Sequence, residues 1–115
     1  MNTRPSKIVC VGRSYAEHAQ ELGNAIPDSP VLFIKPPSSL ISLEDGITWN
    51  KNLGNLHHEC ELTLRLDQPL KNETDPQKAL EAIGAVTLGL DLTLRDLQDS
   101  LKKKGHPWER SKAFD

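Results

Sequence analysis

Four sets of side chains in this 115-residue sequence have the types and spacing for chemistry. Glu59 and Glu61 lie two apart in a run of alternating apolar and polar residues, His57-His58-Glu59-Cys60-Glu61-Leu62-Thr63-Leu64-Arg65-Leu66. In a β-strand, residues i and i+2 share a face, so the two carboxylates stand side by side. Both stay ionised comfortably only when solvent or a cation screens them, and a hard divalent ion prefers oxygen donors of this kind. A Glu-x-Glu pair is also the ordinary solvated face of a half-buried strand. Asp91 is a third carboxylate, on the polar face of a later strand beside Thr87 and Gly89, where small neighbours leave room for an ion or ligand. His18 and Glu21 are three apart in a helical pattern, close enough for the carboxylate to orient the imidazole or raise its basicity, or simply to form a surface pair. Arg95 and Gln98 share a helix face in the same way, and solvated surface is the plain alternative there.

The elements that must position these groups follow from periodicity. Lys7 to Val11 is a short β-branched strand ending at Gly12. Ser14 with Glu17 gives a capping box for a short helix striped by Tyr15, Ala19 and Leu22 and closed at Gly23. Val31 to Ile34 is a second buried strand, stopped by Pro36-Pro37. Lys35 and Ser38-Ser39 then fall in a loop. Leu40 to Trp49 predicts weak strands turning at Glu44-Asp45-Gly46, and Asn50 to Asn55 a polar turn before the central strand. Asp75-Pro76 opens a helix striped by Ala79, Leu80 and Ile83 and ended by Gly84. Ala85 to Leu92 alternates as a strand. Thr93 and Asp96 cap a helix with Leu94, Leu97 and Leu101 inward, Lys102 to Lys104 in its last turn as solvated, dipole-complementing charge, and Gly105 at its end.

Composition bounds the function. A chain of 115 residues is at most one domain, and 37% hydrophobic with 26% charged residues describes a globular protein with a thin core. A net charge of −2 leaves no electrostatic footprint for nucleic acid, and no apolar run is long enough to span a membrane. Small molecules or other chains are the expected partners. Cys10 and Cys60 sit in apolar strand patterns, and no apolar leader opens the chain, so two buried free thiols in the cytoplasm are expected.

Five segments in register carry a resemblance beyond spacing: Val11-Gly12-Arg13-Ser14-Tyr15-Ala16-Glu17-His18, Pro30 to Pro36, His57 to Glu61, Leu90 to Gln98, and Pro107-Trp108-Glu109-Arg110-Ser111-Lys112-Ala113-Phe114-Asp115. From Lys7 to its last residue the chain resembles the fumarylacetoacetate hydrolase family, and within it the small single-domain members. The resemblance implies an α+β, mainly β fold, a mixed β-sandwich roll, dimeric, with Mg²⁺ or Mn²⁺ in a carboxylate site. It places the metal ligands on Glu59, Glu61 and Asp91, the general-base dyad on His18 and Glu21, a lysine beside the substrate at Lys112, and substrate contacts at Arg95 and Gln98. The activity it implies is metal-dependent cleavage of a C–C bond in an acylpyruvate or related diketo acid, with oxaloacetate tautomerisation or decarboxylation as the alternative. A third possibility is an inactive fragment that acts only by association. Two departures stand out, Ser14 for the asparagine usual after Gly-Arg, and Arg65-Leu66-Asp67 in place of an apolar-then-glycine continuation. Family domains run about as long again, so residues 1–115 are expected to be the amino-terminal part of one catalytic domain, with a homodimer in the complete protein.

Overall fold

The computed structural model describes residues 4–13, 21, 23 and 28–114. The helix expected from Ser14 therefore lies largely outside the described residues. The chain divides into two units, one of residues 1–56 with 93–115, the other of residues 57–92. Both are built on two-stranded sheets and short helices, and the fold is α+β and mainly β as expected. No helix among the described residues is long and apolar enough to cross a membrane.

In the first unit, β1 (Ile8–Gly12) and β2 (Val31–Lys35) pair antiparallel, with Val9 opposite Ile34 and Cys10 opposite Phe33. Alternation sorts their side chains. Cys10 and Phe33 face the half-buried side, while Val9, Val11, Leu32 and Ile34 form an exposed apolar face. Neither strand is covered on both sides, so the expectation of buried strands holds for one face only.

Between Leu40 and Trp49 there is no hairpin. The Ser42 hydroxyl accepts from the Glu44 amide and closes a 3₁₀ turn over Leu43–Asp45, ending at Gly46 with φ 75°. Asn50 does the same for Lys51–Leu53 through the Asn52 amide. Such short polar side chains satisfy the backbone locally and compete with strand pairing.

Helix α2 (Arg95–Lys103) follows directly from strand β4 (Ile83–Leu94). It buries Leu101 and Gln98, and Leu94 beneath its start is 1% exposed. Thr93 does not cap it. The strand runs on through Leu94, and the helix start is tied down by a chain crossing it: the Arg95 amide donates to the Asn55 carbonyl, and the Asp96 carboxylate accepts from the Asn55 amide, both at 3.0 Å. At the other end, Gly105 adopts φ 66°, with His106 N donating to Leu101 O and Gly105 N to Lys102 O. These paired bonds satisfy the terminal carbonyls as a left-handed glycine cap should. Helix α3 (Glu109–Lys112) packs on α2 and β2.

In the second unit, helix α1 (Pro76–Glu81) lies between β3 (Leu56–Leu66) and β4 (Ile83–Leu94) in sequence. Asp75 caps α1 by accepting from Gln77 N at 2.9 Å. The helix ends before Gly84, which is already the second residue of β4. Its buried contact is Ala82 at 1% exposure, whereas Leu80 is 61% exposed. The Asp67 amide donates to the Ala82 carbonyl at one end of the strand pair, and Gly89 lies against Thr63 farther along, so the pairing is antiparallel.

The apolar face of β3 is not buried. Leu62, Leu64 and Leu66 are 60%, 47% and 53% exposed, and Cys60 is exposed with them. Cys10 is half-buried, so the expectation of two buried thiols fails. The departure at Arg65-Leu66-Asp67 has a local account: the Arg65 guanidinium holds both Asp67 oxygens, at 2.6 and 2.8 Å. This pair lowers the Asp67 pKa through the hydrogen bond from Arg65 and raises that of Arg65.

Candidate metal centre and a buried lysine

Strand alternation brings Glu59 and Glu61 to the more covered face of β3, and β4 supplies Asp91. One carboxylate oxygen from each of the three lies within 4.8 Å of the others. Glu59 and Glu61 are half-buried and Asp91 is 6% exposed. Gly89 precedes Asp91 by two on the same face, and a Cβ there would meet the Thr63 hydroxyl at 2.7 Å. The missing side chain thus keeps the strand pair close beside the carboxylates. Like charges at this separation, partly removed from water, repel one another, and a bound cation would offset that repulsion. Three hard oxygen donors fit Mg²⁺ or Mn²⁺ and leave about half of an octahedral shell for other ligands.

In the first unit, Lys112 is 2% exposed, an unusual place for an ammonium. Its Nζ donates to the Thr93 hydroxyl at 2.7 Å and lies 5.1 Å from the centre of the Phe33 ring. Trp108 packs on Phe33 with ring centres 5.8 Å apart, and Lys102 stands 5.0 Å over Trp108. Lys102 is thus not the freely solvated cap expected of the Lys102 to Lys104 run. Burial lowers its pKa, with further lowering from Arg13, Arg95 and, least of all, Lys112, against an opposing pull from Asp99.

Arg95 and Gln98 do not form a solvated surface either. Gln98 is 3% exposed, and its Oε1 accepts from Arg95 Nη1 at 2.6 Å. The i, i+3 spacing meant a real pair, with the guanidinium held in one orientation. His18 lies outside the described residues, and Glu21 is helical and exposed. Sequence reasoning placed Lys35 in a loop and gave Phe33 and Thr93 no part in any site, yet all three touch Lys112. The i, i+2 spacing of Phe33 and Lys35 was the available signal.

Three carboxylates gathered from two paired strands make a candidate divalent-metal centre, and the first unit buries a lysine. The fumarylacetoacetate (FAA) hydrolase C-terminal family model matches residues 7–115, and the chain belongs to the fumarylacetoacetate hydrolase family. It is 46% identical over 110 residues to oxaloacetate tautomerase YcgM of Escherichia coli, an alignment that takes in 96% of this chain and 50% of that protein. Its backbone matches the crystal structure of a candidate fumarylacetoacetate isomerase/hydrolase from Oleispira antarctica with a TM-score of 0.94 at 50% identity, over 100% of this chain and 51% of the other. A fumarylpyruvate hydrolase from Pseudomonas aeruginosa, solved in complex with Mn²⁺ and pyruvate, matches at a TM-score of 0.74 and 33% identity, over 95% of this chain and 48% of the other. The chain spans about half the length of the curated relatives it matches. The named tautomerase and hydrolase relatives are enzymes.

Proposed function

We propose that residues 1–115 supply part of one catalytic domain of a divalent-metal enzyme acting on short keto acids. The observation that carries this is the Glu59, Glu61 and Asp91 cluster within 4.8 Å. Those carboxylates would hold Mg²⁺ or Mn²⁺. A bound ion of this kind supplies Lewis acidity toward the carboxylate and neighbouring carbonyl of a keto acid. Lys112, on the family resemblance, stands beside the substrate and balances negative charge that develops on its oxygen. Arg95, held by Gln98, contributes a fixed guanidinium for an anionic group. The resemblance also carries a homodimer, and the exposed apolar strand faces are compatible with further packing.

Two reactions share these needs. Oxaloacetate tautomerisation requires proton movement and charge stabilisation but no attacking water, and relatives at 46% identity from Escherichia coli and Arabidopsis thaliana bear that name. C–C hydrolysis of an acylpyruvate needs in addition a base for water, the role proposed for His18 oriented by Glu21. The fumarylpyruvate hydrolase at 33% identity favours this second reading.

His18→Ala separates them. In a chain extended to the full length of its relatives, the substitution abolishes acylpyruvate hydrolysis and leaves Mn²⁺ affinity at the parental value, because the base is not a ligand. Equal hydrolysis in mutant and parent removes the dyad. Rapid interconversion of enol and keto oxaloacetate by a parent that hydrolyses no acylpyruvate establishes the tautomerase.

A further inference from the structure

Lys112 is the last residue of α3, and the following Ala113 already leaves helical geometry at φ −121° and ψ 53°. A helix of four residues does not hold its own end, because so short a piece has too few internal bonds to offset nucleation. Its closing bond runs from the Ala113 amide to the Glu109 carbonyl at 2.6 Å, and the carbonyls after Glu109 lie beyond the last helical bond. The Lys112 carbonyl accepts from Lys35 Nζ at 2.5 Å, a charge-assisted bond across 77 positions of sequence. The same Lys35 ammonium lies 5.9 Å from the centre of the Phe114 ring, just past the helix end. Phe33, two residues earlier on β2 and on the same half-buried face, underlies the Lys112 ammonium at 5.1 Å.

One strand face therefore touches both ends of Lys112, Lys35 its backbone and Phe33 its tip, while Thr93 receives the ammonium at 2.7 Å. Without its backbone fixed, a side chain with four rotatable bonds would reach Thr93 only at a cost in ordering.

We propose that Lys35 is a positioning residue for Lys112: by binding the carbonyl at the end of α3 it fixes the backbone from which the buried ammonium is presented. This rests on the proposed placement of Lys112 beside the substrate. Lys35 acts through Lys112 and need not touch substrate itself.

A double-mutant cycle in a chain of the relatives' full length tests it, with turnover of oxaloacetate or an acylpyruvate, Mn²⁺ affinity and thermal midpoint recorded for each variant. Lys35→Met lowers kcat/KM roughly tenfold, the scale on which loss of an orienting partner is felt. Mn²⁺ affinity stays parental, and Lys35→Arg, which keeps a cationic donor, restores most of the loss. In a Lys112→Met background, Lys35→Met costs nothing further, since the group it positions is gone. Losses that multiply across the cycle, or parental turnover in Lys35→Met while Lys112→Met is impaired, overturn the proposal. Parental turnover in Lys112→Met instead overturns the placement of Lys112 itself. Should Lys35→Met fail to fold, Lys35→Gln runs the same cycle with a neutral donor.

Discussion

The ammonium of Lys102 sits in surroundings that disfavour its charge. It gains the face of Trp108 at 5.0 Å but is half-buried among Arg13, Arg95 and Lys112, and its pKa falls below the ordinary lysine value of 10.5, first through burial and then through those cations. At neutral pH both folded and unfolded chains carry this proton, so the full penalty weighs on the folded state. As pH rises through the lowered folded value toward 10.5, the unfolded chain holds the proton more tightly and the penalty lifts. Lys102→Met keeps the packing against Trp108 and removes the charge. In a chain of the relatives' full length, urea unfolding should find this variant more stable than the parent at neutral pH, with the gap closing as pH increases. A gap independent of pH contradicts the account. A second single-residue test lies at Gly54, whose φ of 95° favours glycine and whose added Cβ would come within 3.3 Å of the Asp96 Cβ. Since Asp96 also caps the Asn55 amide, Gly54→Ala should cost more than about 1 kcal/mol in the same measurement.

At the level of elements, the four strands were legible because period-two alternation and β-branched runs leave few other choices. The same alternation put Glu59 and Glu61 on one face and Asp91 on the polar face of a later strand, and it was the family resemblance that joined the three into one site. Three things could not be read. The stretch from Leu40 to Trp49 has strand-like residues, but Ser42 and Asn50 each close a 3₁₀ turn by accepting a local amide, and local satisfaction won over pairing. Thr93 looked like a helix cap because Asp96 follows three residues later, whereas the Asn55 backbone takes that end of α2 and frees the Thr93 hydroxyl for Lys112. The surroundings of Lys112 come from β2 and the end of β4, far away in sequence, with no periodic signal linking them. Leu94 is the hinge between strand and helix and is 1% exposed. Leu94→Ala should therefore destabilise the unit that contains α2 by about 2–5 kcal/mol. A loss below about 1 kcal/mol in denaturant unfolding would show that α2 does not depend on this contact.

Across the whole molecule, the apolar residues buried among the described ones are Ala82, Leu94 and Leu101. Against this small core stand Leu62, Leu64, Leu66, Val86 and Leu88 on the second unit and Val9, Val11, Leu32 and Ile34 on the first, all at least 44% exposed. Soluble monomers rarely leave contiguous apolar faces open to water. The 115-residue polypeptide expressed alone should accordingly self-associate in sedimentation, and a monomer that unfolds cooperatively would contradict this. The central claim is chemical, that Glu59, Glu61 and Asp91 hold one divalent cation. Calorimetric titration of Mn²⁺ into the chain at its relatives' full length, parent against Asp91→Asn, tests it most directly. The expected result is one ion bound per parent chain and an affinity at least about tenfold weaker in the variant. Equal affinity in the two proteins, or no binding to the parent, would contradict the assignment.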